Sequence, residues 1–557
     1  MKKNTLYRVL AVALSILMIV GCFAGCKDKT AAEGEGEGEA AAIKDFTMFI
    51  AMPGSEIDDG NVVQEKLAEL YGARIKETWL TGQTAEEAIG VMVAGGEYTD
   101  MIEASDGYQM MVDAGALIAI DEYWDNYPNI KNYLSEAEWN MCRKADGHIY
   151  AIPQFGIIND HDISPVHNDQ AFWIQTRVLK EAGYPEIDTL DDYFAVIEAY
   201  YANHPTEEDG SPIIPYTILC DDWRYFCLEN APFYLDGYPN DGCVIVDPST
   251  HEITDYNMTP TAKKYFAKLN EEYQKGIVDP EFATQKYDDY ITKLSTGRVL
   301  AFNDQFWDWS TADGAIKTAK MNDRTYVPLG LSMEPGITTR YHSASALDVS
   351  GGFSITTSCK DVEGALQFVN DMLNEDAQTL RFWGIEGVDY LVDENGVFYR
   401  TQEMRDNSID STYKAANLCS YSYLPQYEGM NLDGINAWTS GDQPAEFLEG
   451  LLPEVQECLS AYGAETYVEM LDPSGENSAW YPLWSWSNDL TTETPEGEAW
   501  ANMGAVKHEY LPKCVIASDF DAAWAEYEAA YAETGVETFL AAAKAEVDRR
   551  IAVSEGK

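Results

Sequence analysis

Positive charge is scarce in this chain. Of its 557 residues, 37 are lysine or arginine and 94 are aspartate or glutamate, a formal net charge of −57. So acidic a surface repels phosphate backbones and anionic lipid headgroups, which excludes nucleic acid and the membrane surface as partners. Paired cysteines are missing as well. Cys142, Cys220, Cys227, Cys243, Cys359, Cys419, Cys458 and Cys514 are widely spread with no CxxC pair, so neither zinc, another metal nor a cofactor is expected. Bridges such as Cys220–Cys227 or Cys220–Cys243 are permitted only if the chain is exported. No GxSxG and no HExxH occurs, which removes the serine-esterase elbow and the zinc-peptidase signature. His161 and His167 lie near Asp160 and Asp162, a grouping that solvated loop residues explain without a metal. Beyond the leader there is no run of 18 uncharged apolar residues, so no transmembrane helix is expected.

What is present begins at the N-terminus. Lys2, Lys3 and Arg8 precede an apolar run from Val9 to Val20, and Gly21-Cys22 and Gly25-Cys26 follow it. A basic start, a short apolar segment and a small-residue cleavage site describe a secretory signal. A cysteine at the cleavage point looks like a bacterial lipobox, so Cys22 or Cys26 is expected to carry lipid and become the mature N-terminus. Residues 27–44 include AAEGEGEGEAAA, an acidic tract that cannot bury a core and reads as a flexible leash. The remainder, 46% hydrophobic over the whole chain, is too long for one core and implies at least two domains.

The mature part alternates. Phe46–Ala51 reads as a buried strand, Val63, Leu67, Leu70 and Tyr71 recur at helical spacing before Gly72, and Arg74–Trp79 reads as a second strand. Thr84 to Glu87 has capping-box spacing, opening a helix that stops at Gly95-Gly96. Asp100–Glu103 reads as a third strand and Leu117–Ile120 as a further apolar segment. This order predicts a parallel sheet covered by helices, with ligand beyond the carboxyl ends of the strands, where Ser55 and Asp106 lie. Further on, Trp173–Ala182, Leu190–Tyr200 and Thr261–Tyr273 read as helices, Val244–Val246 and His251–Ile253 as a hairpin, and Val299–Phe302, Tyr326–Leu331 and Gly351–Thr357 as strands.

Six segments in order then carry a family resemblance: Glu97–Ile102, Gly115–Tyr123, Asp146-Gly147-His148-Ile149-Tyr150-Ala151-Ile152-Pro153, Trp173–Gly183, Lys275–Ala283 and Gly384–Tyr390. They resemble the extracellular solute-binding proteins of ABC importers, in the long lipoprotein branch of Gram-positive bacteria. Arg177 stands where that family usually has aspartate. The resemblance implies an α/β, two-lobed periplasmic-binding-protein-like fold. Each lobe is a mostly parallel sheet flanked by helices, and hinge strands cross between them near 153–156, near 350–356 and after about 400. It divides the chain into 45–152 with 356–410 as the N-terminal lobe, and 153–355 with 411–557 as the C-terminal lobe. It implies a monomer, lipid-anchored on the extracellular face of the cell membrane, that captures a carbohydrate, expected to be an oligosaccharide, by hinge closure and passes it to permease subunits. A secreted glycoside hydrolase and a peptide-binding importer component stand as alternatives. No catalytic constellation rises above the background of 94 acidic residues.

The chain has 14 tryptophans and 35 tyrosines. Sugars offer flat C–H faces and a rim of hydroxyls, so they need aromatic platforms beside amide, carboxylate or guanidinium groups. Asn303–Ser310 and Trp480–Trp486 combine these. The expected ligand-binding residues are Ser55, Asp106, Gln154, Trp223, Asp304, Trp307, Trp438, Trp480, Tyr481 and Trp484, whereas Trp124, Trp139 and Trp524 are expected to pack helices.

Overall fold

Eight strands form the two main sheets: β1 (Lys44–Ile50), β2 (Ala73–Trp79), β3 (Met101–Glu103), β4 (Gln170–Gln175), β5 (Ile214–Thr217), β6 (Val299–Gln305), β7 (Tyr326–Leu329) and β8 (Phe353–Ile355). The computed structural model describes residues 43–341, 347–471 and 478–554; the leader, both candidate lipid-bearing cysteines and the acidic tract lie outside the described residues. The first sheet has the order β8-β3-β1-β2 and the second β7-β4-β6-β5.

In the first sheet β1 runs parallel to β2 and β3, and β8 is antiparallel to β3. Alternation along β1 separates its two faces: Phe46, Met48 and Ile50 enter one core, Phe49 the other. The connecting helices form where the sequence predicts. In α1 (Val62–Tyr71), Asn61 caps the start and Gly72 ends it at φ 72°, a left-handed position that favours glycine. Before α2 (Ala85–Gly95), Thr84 and Glu87 complete a reciprocal capping box. Leu117 makes only an isolated bridge to Thr356, and Ile120–Glu122 is a 3-10 turn.

The second sheet departs from the expected parallel pattern. β4 is antiparallel to both β6 and β7, and only β5 and β6 are parallel. Trp173 to Gln175, expected in a helix, complete β4, and the helix starts at Thr176. Every residue of β4 is buried, so it lacks the alternation that distinguishes a half-exposed strand. α3 (Phe306–Thr318) follows β6 directly, and α4 (Val362–Met372) carries the predicted apolar stripe into the first core. The hairpin forms as Ile245–Val246 with Ile253–Thr254.

Each sheet has its own core, and core membership locates the crossings. The chain leaves the first core after Ile157 and enters the second by Val166. It returns between Tyr341 and Leu347, and Cys419, Tyr421, Leu424 and Tyr427 still pack in the first core. Phe447 packs in the second. The lobe boundary expected at residue 410 therefore moves past Tyr427, because Arg381 binds this segment to the first core. The buried Arg381 guanidinium donates to the carbonyls of Met372, Ser420, Tyr421, Leu424 and Pro425. Segments from the three passes lie side by side: Ile152 bridges Phe353, and Ile158–Asn159 pairs in parallel with Glu428–Gly429.

All eight cysteines of the described residues are free and buried, so neither Cys220–Cys227 nor Cys220–Cys243 is bridged. Among the described residues no helix is long and apolar enough to cross a membrane.

Candidate ligand-binding cleft

The carboxyl ends of β2 and β3 deliver Trp79 and Glu103 to one rim. The loop after β1 passes directly over the Trp79 ring: a Cβ on Gly54 would lie 2.0 Å from it, so only glycine fits there. Ser55, exposed, follows Gly54 in this loop. Tyr423 meets Trp79 edge-on at 5.6 Å and Phe155 at the same separation, giving the rim an aromatic wall. Glu103 sits in register with Phe353 of β8, whose amide donates to Gln154 Oε1 at 3.2 Å. Gln154 is thus buried at the crossing and holds backbone.

Glu103 is 5% exposed. One carboxylate oxygen accepts the Ser105 amide at 2.9 Å, and the other is buried without a hydrogen-bond partner. Burial pushes its carboxyl up to about 8, with the nearby charges of Asp348 and Asp106 adding to the rise. Asp106 meets solvent at the rim yet lies among enough packed atoms to be raised to about 6. Burial is the main cause, Asp222 and Glu86 add to it, and Arg224 opposes it.

Asp222 and Arg224 sit in a turn whose Tyr225 and Phe226 pack on the other core, and both act on the charge of Asp106, so this turn and the first rim lie close together. The 3-10 turn Asp222–Tyr225 follows β5, and Trp307 lies in the first turn of α3 after β6. Both therefore stand beyond the carboxyl ends of the parallel pair in the second sheet. Trp223 and Trp307 stack with centroids 5.7 Å apart and planes 10° from parallel. Trp307 is 37% exposed, and its indole N–H donates to Gln305. Arg224 is buried between the Trp223 and Tyr287 rings, 4.4 and 4.0 Å from their centroids, and donates to Asp308 at 2.8 Å. On each rim a non-glycine residue takes a left-handed conformation, Ser105 at φ 46° and Asp222 at φ 53°. Such strain collects at functional sites.

Asp304 is fully buried below this platform, accepting from Tyr290 at 2.7 Å, the Gln305 amide at 2.7 Å and the Cys227 thiol at 3.2 Å. Burial and the neighbouring Asp308 hold it well above the usual carboxylate range. It supports β6 and α3, and the expectation that it touches ligand is withdrawn. Ligating atoms of Cys227, Asp304 and Asp308 lie within 4.8 Å of one another. Their hydrogen bonds to Tyr290, Gln305 and Arg224 account for this grouping without an ion.

Trp480, 4% exposed, and Trp438, 2% exposed, are core residues, and their assignment to ligand contact is withdrawn too. An indole in a loop cluster carries no mark of which way it faces. Tyr481 donates to the Asn240 carbonyl at 3.0 Å, and Trp484 is half-buried in the short helix Trp484–Ser487. Arg550 fixes this segment by donating to Trp480 O, Pro482 O and Ser485 Oγ. Just beyond it, Asp489 pairs with Lys144, which lies 4.5 Å above the Tyr108 ring, so an ion pair joins the two lobes here. Of the ten predicted residues, the structure gathers Asp106, Trp223 and Trp307 at the cleft and keeps Ser55 on its rim. Sequence reading missed Trp79, Glu103, Phe155, Arg224, Tyr287 and Tyr423. For Trp79 and Glu103 a signal existed, since each is the last residue of a predicted parallel strand.

The family comparison decides what kind of cleft this is. The model for bacterial extracellular solute-binding proteins matches residues 64–387, more than half of the chain. The chain belongs to this family. The relatives of this solute-binding protein include Lipoprotein LipO of Bacillus subtilis, 24% identical over 444 residues, covering 75% of this chain and 80% of LipO. The polygalacturonan/rhamnogalacturonan-binding protein YtcQ of the same organism is 23% identical over 427 residues, covering 72% of this chain and 78% of YtcQ. Among solved structures, the ABC-transporter substrate-binding protein FusA of Streptococcus pneumoniae, an EF-hand mutant in complex with fructo-nystose, superposes with a TM-score of 0.64 at 16% identity. That match covers 91% of this chain and 99% of FusA. The shared fold is the two-lobed α/β arrangement.

The Glu103 carboxyl gives this solute-binding protein a pH-dependent stability. Its folded pKa lies above its ordinary value of 4.5, so the folded state holds the proton more tightly. Stability is therefore lost as pH rises from about 4.5 to about 8. Glu103→Gln is expected to raise the melting temperature relative to wild type at pH 8.5 and to leave it nearly unchanged at pH 5. Equal differences at both pH values would show that Glu103 ionises normally.

Proposed function

We propose that this protein is the extracellular substrate-binding component of an ABC importer and that its solute is an oligosaccharide. The observation that carries the reading is the stacked Trp223–Trp307 pair facing a carboxylate-bearing rim across the cleft. It offers a platform for sugar C–H faces with hydrogen-bond acceptors opposite. The named polysaccharide ligand of YtcQ and the fructo-nystose in FusA support the same class. The lobes, taken by core membership as 43–157 with 347–427 and 166–341 with 447–554, close by turning about the three crossings. Ligand contacts to both rims favour the closed form. Cys22 or Cys26 carries the lipid that tethers a monomer to the cell surface, and permease subunits receive the sugar. The protein binds without cleaving.

A thermal-shift screen of residues 43–557 against neutral oligosaccharides, monosaccharides and peptides tests this. A ligand that binds only the native state must raise the melting temperature. An oligosaccharide that raises it and is recovered intact supports the reading. Consumption of the sugar would make the protein a hydrolase, and a response to peptides alone would replace the carbohydrate assignment.

A further inference from the structure

Lys144 lies between Cys142 and Ile149 of the first core, and Asp489 between Trp486 and Leu490, which pack on the second. Lys144 Nζ donates to Asp489 Oδ2 at 2.5 Å, and the ammonium stands 4.5 Å from the centroid of the Tyr108 ring. Among the described residues this is the one ion pair that residues 43–157 make with the second lobe. We propose that Lys144 and Asp489 form a latch that holds the rims close together and parts when the cleft opens, which makes them positioning residues for solute binding, given that the solute is bound by closure of the lobes.

In the arrangement this pair spans, the charges of Asp222 and Arg224 act on Asp106, so the rims are close. Neither member lies on a segment that crosses between the cores, so opening the lobes about those segments draws the two charges apart. The side chains of Lys144 and Asp489 are only 14% and 25% exposed. Both charges have lost most of their water, and each has the other as its counter-charge. Without Lys144, the Asp489 carboxylate is stranded while the rims are close and rehydrated when they part. A solute that needs both rims binds in proportion to the population in which they are close. Lys144→Met is therefore expected to weaken binding without touching the Trp223–Trp307 platform.

The ionisation of Asp489 separates this role from simple packing. Burial raises its carboxyl to about 6, and Lys144 opposes the rise. Asp489 is thus ionised at pH 7.5 and mostly protonated at pH 5. Because Lys144 lowers this carboxyl, its contribution to closure is present above about 6 and is lost as pH falls below that value. Asp348, Arg550, Tyr108 and Cys142 also surround the pair. They are the same in wild type and Lys144→Met, so a ratio of affinities isolates the latch.

The test combines small-angle X-ray scattering without sugar and calorimetry on residues 43–557, at pH 7.5 and pH 5. The proteins are wild type, Lys144→Met, and Lys144→Met with Asp489→Asn. The calorimetric probes are gluco-, manno-, xylo- and fructo-oligosaccharides of three to five units, with oligogalacturonates of the same lengths. At pH 7.5, Lys144→Met is expected to show a larger radius of gyration. It should bind the tightest of these probes about tenfold more weakly, between the effects of exposed and buried pairs. The double variant, in which no carboxylate is stranded, should recover most of both. At pH 5, wild type and Lys144→Met should agree. An unchanged radius and affinity in Lys144→Met at pH 7.5 overturns the proposal. A tenfold loss that persists at pH 5 overturns it too, because the lysine then acts by packing. If no probe binds, the scattering still decides the latch, and only the carbohydrate reading falls.

Discussion

Arg224→Ala is expected to destabilise the protein by about 3–5 kcal/mol, because removing one partner of a buried ion pair strands the other. The consequence falls on Asp308, whose second oxygen already lacks a hydrogen-bond partner, and on Asp304, which is raised by the charge of Asp308. The same substitution removes the layer between Trp223 and Tyr287, so sugar binding should be lost as well. The double variant Arg224→Met with Asp308→Leu replaces the pair by apolar groups of similar volume and should recover most of the stability. Urea denaturation of the three proteins measures this. If Arg224→Ala unfolds at the wild-type urea concentration, the ion pair is not what supports the platform.

The second large effect separates two tryptophans that look alike in sequence. Trp307→Ala should weaken oligosaccharide binding by about 1–3 kcal/mol, the range for an aromatic stacking contact and its buried area, with little change in melting temperature. Trp480→Ala should instead cost about 3–5 kcal/mol of stability, as expected when a large core side chain leaves a cavity. Calorimetry on the folded variants, together with melting curves, distinguishes the two. Loss of binding without loss of stability at Trp480, or the reverse at Trp307, would exchange their assignments.

What the sequence revealed follows from which forces are local. Caps and turns depend on residues three or four apart, so Thr84 with Glu87 and the stop at Gly72 are readable, while the Asn61 cap emerges only from the structure. The carboxyl-end rule then put Ser55 and Asp106 on a rim, and the aromatic–amide string at 303–310 pointed to Trp307. The rest depends on partners distant in the chain. Arg224 gains its role from Asp308, 84 residues away. Glu103 and Trp79 are the last residues of expected strands, but what surrounds them is decided by where loops distant in the chain pass. The span 418–427 packs in the first lobe, beyond the boundary expected at 410, because it is held by partners far away in the chain: Arg381 through backbone carbonyls, and Asn61, Tyr133 and Gln378 through further hydrogen bonds. Burial of Trp438 and Trp480 is likewise a property of the assembled core, which indole counting does not report.

The buried thiols have a further consequence. Folded, the described chain offers no exposed thiol, and burial pushes thiols such as Cys142, Cys220 and Cys419 up, away from the reactive thiolate. An alkylating dye should therefore ignore the native protein and mark every molecule that has unfolded. Two cysteines introduced on opposite rims would then be labelled alone. The distance between their dyes would report, one molecule at a time, how far the cleft travels when a sugar enters.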